Sequence, residues 1–340
     1  MDTKKLAINK ADPGAKLRHV HACLLEESQY KKTTGLEKID LGHESAAGLN
    51  LASIDLSCQF LGHQLSAPLM IAPMTGGTEL SAMLNRRWAE AAEHFGLAFG
   101  VGSQRLALEN AQVRESFLVR KYAKSTMVFA NLGAAQLLSS LKPIDALRAV
   151  EMIDADALFI HLNPLQEMCQ EQGDKNFEGV LKALSAVVEL FKSQGIPVLA
   201  REVGFGLSKK SAADLIATGI DGLDCAGAGG TSWSKVESLC AGNEKYRRLG
   251  EVFGEWGIPT AESIRNVRAV DAKIPLIATG GIRNGLDIAK ALHLGADLVG
   301  MAQPMLRAAM AGSHALHDFI EQILLELRIA MAGAGKIRLH

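Results

Sequence analysis

Residues 277–303, IATGGIRNGLDIAKALHLGADLVGMAQ, decide how the rest of the chain is read. The apolar run 275–278 is bounded like a buried strand, and Gly280-Gly281 and Ile282-Arg283-Asn284-Gly285 follow it at once. Leu286, Ala289, Leu292 and Leu294 then recur at near-helical spacing, and Gly295 stands where a helix C-cap belongs. A second apolar run covers 297–301. The order is strand, glycine loop, helix, strand, with almost nothing spare between them. Paired glycines let backbone N–H groups approach an anion closely. In a (β/α)8 barrel the loops after the last two strands are where phosphate groups usually sit. A bare tight turn suits Gly280-Gly281 equally well when they are read alone. Their place between two buried strands, with Arg283 close by, selects the phosphate reading.

The same unit recurs upstream. The run 67–72 leads into Pro73-Met74-Thr75-Gly76-Gly77-Thr78, then a helix over 80–95, and the run 98–101 leads into Gly102-Ser103-Gln104-Arg105. Further on, 127–130 ends in Asn131-Leu132-Gly133, and 157–160 ends in His161-Leu162-Asn163-Pro164-Leu165-Gln166-Glu167. The last two are 197–200, ending in Arg201-Glu202-Val203-Gly204, and 222–225, ending in Ala226-Gly227-Ala228-Gly229-Gly230-Thr231-Ser232. Strands alternating with helical runs at this pace predict parallel βα units. Eight such strands end at Met301, so the expected fold is α/β, a closed (β/α)8 TIM barrel rather than an open doubly wound sheet.

Residues 1–66 read as an N-terminal extension and 67–340 as the barrel with its C-terminal helix. The polar residues 1–15 are expected to be mobile or to order on binding. A helical stretch over 16–30 carries Lys16, Arg18, His19 and His21, either a cationic lid or a solvated face. In the lead-in 31–65, the pairs Ile54/Leu56 and Phe60/Leu65 predict short strands that plug the barrel base. Residues 232–259 read as one long polar and aromatic loop beside the mouth or at an oligomer contact. Residues 306–331 read as one or two capping helices.

The 340 residues, 48% hydrophobic with 33 glycines, suit one large enzyme-like domain. A net charge of −1 without a basic run argues against nucleic acid. Five cysteines without a C-x-x-C pair suggest reduced thiols in the cytoplasm. No apolar run is long enough to span a bilayer, and the polar opening MDTKKLAINK predicts no signal peptide.

Taken in order, the six loops MTGGT, GSQR, HLNPLQE, EVGFG, AGGT and GGIRNG resemble those of the type 2 isopentenyl-diphosphate isomerases, from about residue 16 to about residue 305. That resemblance implies a barrel holding FMN in its reduced form, with Mg2+, and NADPH as flavin reductant. The small diphosphate substrate would be isomerised with no net redox change, the proton passing through the reduced flavin. A single phosphate-sized glycine site, without an N-terminal G-x-G-x-x-G loop, predicts FMN rather than FAD.

By the same resemblance Gln166 is the substrate-side glutamine and Glu167 the Mg2+ ligand, whose alternative is a surface acid opening a helix. Lys16, Ser103, Gln104, Arg105 and His161 would meet the diphosphate; His161 is equally well a core imidazole. Met74, Thr75, Gly76, Ser103, Asn131 and Arg201 would line the flavin ring. Thr231, Gly280, Gly281, Ile282, Arg283, Met301 and Ala302 would cradle its phosphate, Thr231 having a helix N-cap as its alternative. A homotetramer or homo-octamer is implied. Two positions depart from the family pattern. Ala15 replaces an arginine, with Arg18 or His21 at hand to compensate, and Arg201 replaces a lysine. The rival readings are an FMN-dependent 2-hydroxy-acid oxidoreductase, which needs a histidine near the sixth or seventh strand, and a non-catalytic flavin- or phosphate-binding barrel.

Overall fold

Side chains along a strand alternate between its two faces, so a closed barrel admits only every second residue to its interior. The computed structural model describes residues 13–337; the expectation for residues 1–12 lies outside them. A short antiparallel hairpin, β1 (Cys58–Phe60) and β2 (His63–Leu65), precedes eight parallel strands. These are β3 (Leu69–Ile71), β4 (Ala98–Gly100), β5 (Val128–Gly133), β6 (Ala157–Leu162), β7 (Val198–Glu202), β8 (Gly222–Asp224), β9 (Leu276–Ala278) and β10 (Leu298–Met301). Each pairs with the next, and β10 pairs back onto β3, which closes the (β/α)8 barrel.

The alternation sorts the strands into two cores. Met70, Phe129, Phe159, Leu199, Ile277 and Leu298 face inward and pack on Phe60 and Leu65 of the hairpin. Their register neighbours, among them Leu69, Ile71, Val128, Leu158 and Val198, face outward to Trp88, Val187, Ile264 and Ile288 of the helix layer. The hairpin is therefore the plug expected of Phe60 and Leu65. Ile54 and Leu56 form no strand, and are buried in the outer core ahead of it. One step further along the strands the inward positions turn polar: Asn131, His161, Arg201, Asp224 and Thr279. On the opposite wall Ala72, Gly100, Gly102, Gly300 and Ala302 are small, so the mouth is polar on one side and open on the other.

Three boundaries differ from expectation. Residues 232–259 are not a loop: they fold as helices Trp233–Cys240 and Glu244–Val252, capped by the side chains of Ser232 and Asn243. Val236 and Cys240, four apart, pack on Ala22, a short apolar stripe that the polar composition hides. The stretch 16–30 is helical only over Pro13–Cys23, followed by a single 3-10 turn at Glu26–Ser28. The C-terminal cap, two helices as one of the expected arrangements, starts before residue 306: it covers Gln303–Ala311 and Ser313–Gly333, broken at Gly312 with φ 137°.

Phe60 is 2% exposed and belongs to the plug, remote from the polar end of the strands. Phe60→Ala is expected to lower stability by roughly 3–5 kcal/mol, through lost burial and the cavity left behind. Urea unfolding measures it. Ligand binding at the barrel mouth should stay within about twofold of the wild type, since the plug lies at the other end.

Candidate active site

The carboxyl ends of the strands open into one cleft with two lobes, which share Lys16, His19, Met74, Ser103, Arg201 and Trp233. The first lobe, about 1100 Å³ including the space open to solvent, reaches the glycine loops after β8 and β9. Four glycines there pack backbone on backbone. A Cβ on Gly280 would stand 2.0 Å from Gly227 O, and one on Gly230 would stand 2.5 Å from Gly281 N. Gly280 and Gly281 have φ of 99° and 72°, which L side chains rarely adopt. The N–H groups of Gly280, Gly281 and Ile282 donate to nothing among the described residues, and Arg283 lines the same wall. Unpaired amides beside a half-buried guanidinium are what a phosphate group needs. The small wall at Gly300 and Ala302 leaves room for a flat ring, so these residues fit FMN.

Arg283 is positioned by Gln29, a residue the sequence offered no reason to single out. Its Nη2 donates to Gln29 Oε1 at 2.6 Å, and Gln29 Nε2 donates to Thr231 Oγ1 at 3.3 Å. Tyr30 N donates to Gly230 O and Ser232 N to Ser28 O, so residues 28–30 run along the loop after β8. Thr231 is not an N-cap, because Ser232 caps the following helix.

The second lobe takes Lys16, Ser103, Arg105, Asn131, His161, Asn163, Gln166 and Glu167. Lys16 Nζ donates to Ser103 O at 3.0 Å, and burial together with nearby Arg105 pulls its ammonium down to about 7. Asn131 Nδ2 donates to Val101 O, so its Oδ1 must accept from His161 Nδ1 at 2.8 Å. That places the imidazole proton on Nδ1 and leaves Nε2 as an acceptor. Burial, with Arg201 and Lys16 nearby, pushes His161 down to about 3 and keeps it neutral. Arg201 forms a buried ion pair with Asp224 at 2.5 Å, and Asp224 also accepts from the Thr279 hydroxyl at 2.7 Å.

Gln166 and Glu167 lie on the short helix Pro164–Cys169 and are both buried. Glu167 is thus no surface acid: it accepts from Asn163 Nδ2 at 3.2 Å and from Asp174 N at 2.9 Å. Gln166 Nε2 donates to Glu237 Oε1 at 2.8 Å, and Gln170 Nε2 donates to the same oxygen at 2.6 Å. His19 Nε2 stands 3.3 Å from it. Burial alone would raise the Glu237 carboxyl, but His19 and the two amides hold it below its ordinary range. Glu237 lies on the helix Trp233–Cys240, which the polar composition of 232–259 hides. Trp233 and Glu237 at i, i+4 on a helix would have put both on the cleft side. Among the described residues no cluster of three His, Cys, Asp or Glu side chains forms a ready metal cage. One carboxylate with waters and substrate oxygens is an ordinary Mg2+ arrangement, so Glu167 fits that ion.

Three expected contacts are corrected. Gln104 is fully buried and does not line the cleft: its Nε2 donates to Ala149 O and its Oε1 accepts from Asn131 N. Met301 points outward into the helix layer, the face opposite Gly300. Gly76 lies against Phe117 rather than in either lobe, a Cβ there falling 2.1 Å from the ring. Ala15 lines the second lobe, and Arg18 and His21 line neither lobe.

The model of the FMN-dependent dehydrogenase family matches residues 19–136 and 167–340. An isopentenyl-diphosphate delta-isomerase of Nostoc sp. is 47% identical over 99% of this chain and 94% of its own. One of Synechococcus sp. is 48% identical over 95% and 92%, and one of Methanothermobacter thermautotrophicus 44% identical over 94% and 88%. Among solved structures, mandelate oxidase with (S)-2-phenylpropionate superposes with a TM-score of 0.62 at 19% identity, covering 97% of this chain and 92% of its own. That likeness shows the barrel fold.

A diphosphate is bound by an ammonium, not an amine, and above about pH 7 the unliganded protein holds Lys16 as the amine. Binding at pH 8 is therefore expected to take up about one proton, and affinity to fall by up to tenfold for each pH unit above 7. Lys16→Arg, charged throughout, should take up none. Calorimetry of inorganic diphosphate binding in two buffers of different ionisation heat reads the difference. Equal heats for the wild type in both buffers would refute it.

Proposed function

The chain belongs to the FMN-dependent dehydrogenase family, among the relatives that act as isopentenyl-diphosphate delta-isomerases, and we infer that it interconverts isopentenyl and dimethylallyl diphosphate in isoprenoid precursor synthesis. The observation that carries this reading is the two-lobed cleft. A lobe with the glycine-loop amides on its wall adjoins one lined by Lys16, Arg105 and Glu167. The first suits the phosphate and ring of FMN; the second suits a diphosphate with its cation.

Moving an isolated double bond adds a proton at one carbon and removes one from another. Reduced FMN, when bound, supplies the group that gives and takes this proton. The residues of the chain bind, orient and exclude water. Gly280, Gly281, Ile282 and Arg283 would hold the flavin phosphate, and Met74, Thr75, Ser103 and Ala302 would bound the ring. Arg201, paired to Asp224, keeps a positive charge in the floor shared by both lobes. Lys16, Ser103 and Arg105 would take the diphosphate. Glu237 fixes the Gln166 amide so that its orientation toward the substrate side is single. Glu167 would bind Mg2+, and NADPH would reduce the flavin. A 2-hydroxy-acid oxidoreductase needs a histidine after the sixth or seventh strand; the residues there are Ala226 and Gly280, and His293 ends the helix Gly285–His293.

Five free thiols suit the cytoplasm, and among the described residues no helix is long and apolar enough to cross a membrane. The exposed Val252 and Trp256, 65% and 63% accessible, would meet another copy in a homotetramer or larger assembly.

Glu167→Gln keeps the shape and removes the charge that a hard cation prefers. Turnover of isopentenyl diphosphate by the reduced enzyme is expected to fall about 10²-fold or more, on the order of 3 kcal/mol. FMN should remain bound, and raised Mg2+ should recover part of the loss. Normal isomerisation by Glu167→Gln at low Mg2+ would place the metal elsewhere.

A further inference from the structure

The second lobe is lined by more acceptors than a diphosphate can use. Asn163 is 6% exposed, and its orientation follows from a chain of fixed partners. The Glu237 carboxylate only accepts, so Gln166 turns its Nε2 there and its Oε1 toward Asn163. Asn163 Nδ2 then donates to Gln166 Oε1 at 3.1 Å and to Glu167 Oε1 at 3.2 Å. This leaves Asn163 Oδ1 buried with no hydrogen-bond partner. A buried unsatisfied oxygen is costly, and one lining a binding cleft implies a donor that arrives with the ligand.

Two further acceptors line the same lobe. His161 Nε2 carries the lone pair, because Asn131 holds the proton on Nδ1. Gln136 Oε1 converges with it: a methyl added at the inward-facing Gly133 would stand 2.1 Å from Gln136 Oε1 and 3.0 Å from His161 Nε2. Diphosphate oxygens are acceptors themselves and satisfy none of these atoms. The waters of a bound Mg2+ do, since this cation dehydrates reluctantly and polarises its waters into strong donors.

We propose that Asn163, His161 and Gln136 form a water-mediated cradle for the hydrated cation, which touches the chain directly only through Glu167. The inference rests on the reading of Glu167 as the metal carboxylate. It adds that the ion is held mainly by its own waters, with Asn163 Oδ1 as the acceptor set in place beforehand. Lys16 and Arg105, on the same lobe, are left for the diphosphate oxygens.

The test is Mn2+ binding, read by electron paramagnetic resonance, to the FMN-loaded protein in the presence of inorganic diphosphate. Groups hydrogen-bonded around a metal site typically contribute 10–100-fold in affinity, so Asn163→Ala is expected to weaken Mn2+ by about 10-fold or more and Gln136→Met by several-fold. FMN content and the unfolding midpoint of Gln136→Met should match the wild type. Asn163 also steadies Gln166 and Glu167 through Nδ2, whereas Gln136 contacts neither directly and reaches Glu167 only through a 3.5 Å bond from its Nε2 to Asp174, so Gln136→Met decides between the roles. Loss in Asn163→Ala with wild-type affinity in Gln136→Met overturns the cradle, because the effect then runs through Gln166 and Glu167. Wild-type affinity in both, with loss in Glu167→Gln, overturns it as well. Should Glu167→Gln itself bind Mn2+ normally, the metal assignment fails and the cradle with it.

Discussion

Only every second residue of a barrel strand reaches the interior, and this chain uses that restriction to stack three environments along one axis. Phe60 and Leu65 seal the base against Met70, Phe129, Phe159 and Leu199. Above them the same strands present Asn131, His161, Arg201, Asp224 and Thr279. The dry layer below denies these polar groups water from beneath, so each must find a protein partner or await a ligand. Arg201 and Asp224 find each other at 2.5 Å. A buried pair of this kind adds little net stability, but loss of either partner would strand a charge. Its value is a fixed cation in a place where a lysine would have been freer to lose its proton.

A second consequence is that orientation propagates. A single buried carboxylate, Glu237, fixes Gln166, which fixes Asn163, which in turn helps to aim Glu167. The residue that begins this sequence lies on the helix Trp233–Cys240, while those it controls lie after β6. The site is thus assembled across two loops, each useless without the other. The opposite lobe works by subtraction. Gly229, Gly230, Gly280 and Gly281 bring backbone against backbone, and the amides they expose meet Arg283, itself held by Gln29.

How much of this was legible in the sequence depended on period and on glycine. The strand-end loops stand out because a short apolar run followed by Gly or a polar cluster marks both a strand and its carboxyl end. The plug was readable from Phe60 and Leu65, yet Ile54 and Leu56 carry the same spacing without a strand, since burial alone does not specify one. Gln104 sits between Ser103 and Arg105, which do line the cleft, while its own side chain turns outward to Ala149 O in the helix layer. Glu237 was invisible while its helix was read as a loop, and Gln29 left no local signal at all. Buried polar partners are chosen by tertiary geometry, which a linear pattern does not encode.

The isomerase account is tested most directly by proton NMR in D2O, with anaerobic dithionite-reduced protein, Mg2+ and isopentenyl diphosphate. It predicts that dimethylallyl diphosphate forms and carries deuterium, with the flavin still reduced at the end. Binding of the substrate with neither isomer nor deuterium uptake would contradict it, as would reduction of the oxidised flavin by a 2-hydroxy acid in place of isomerisation.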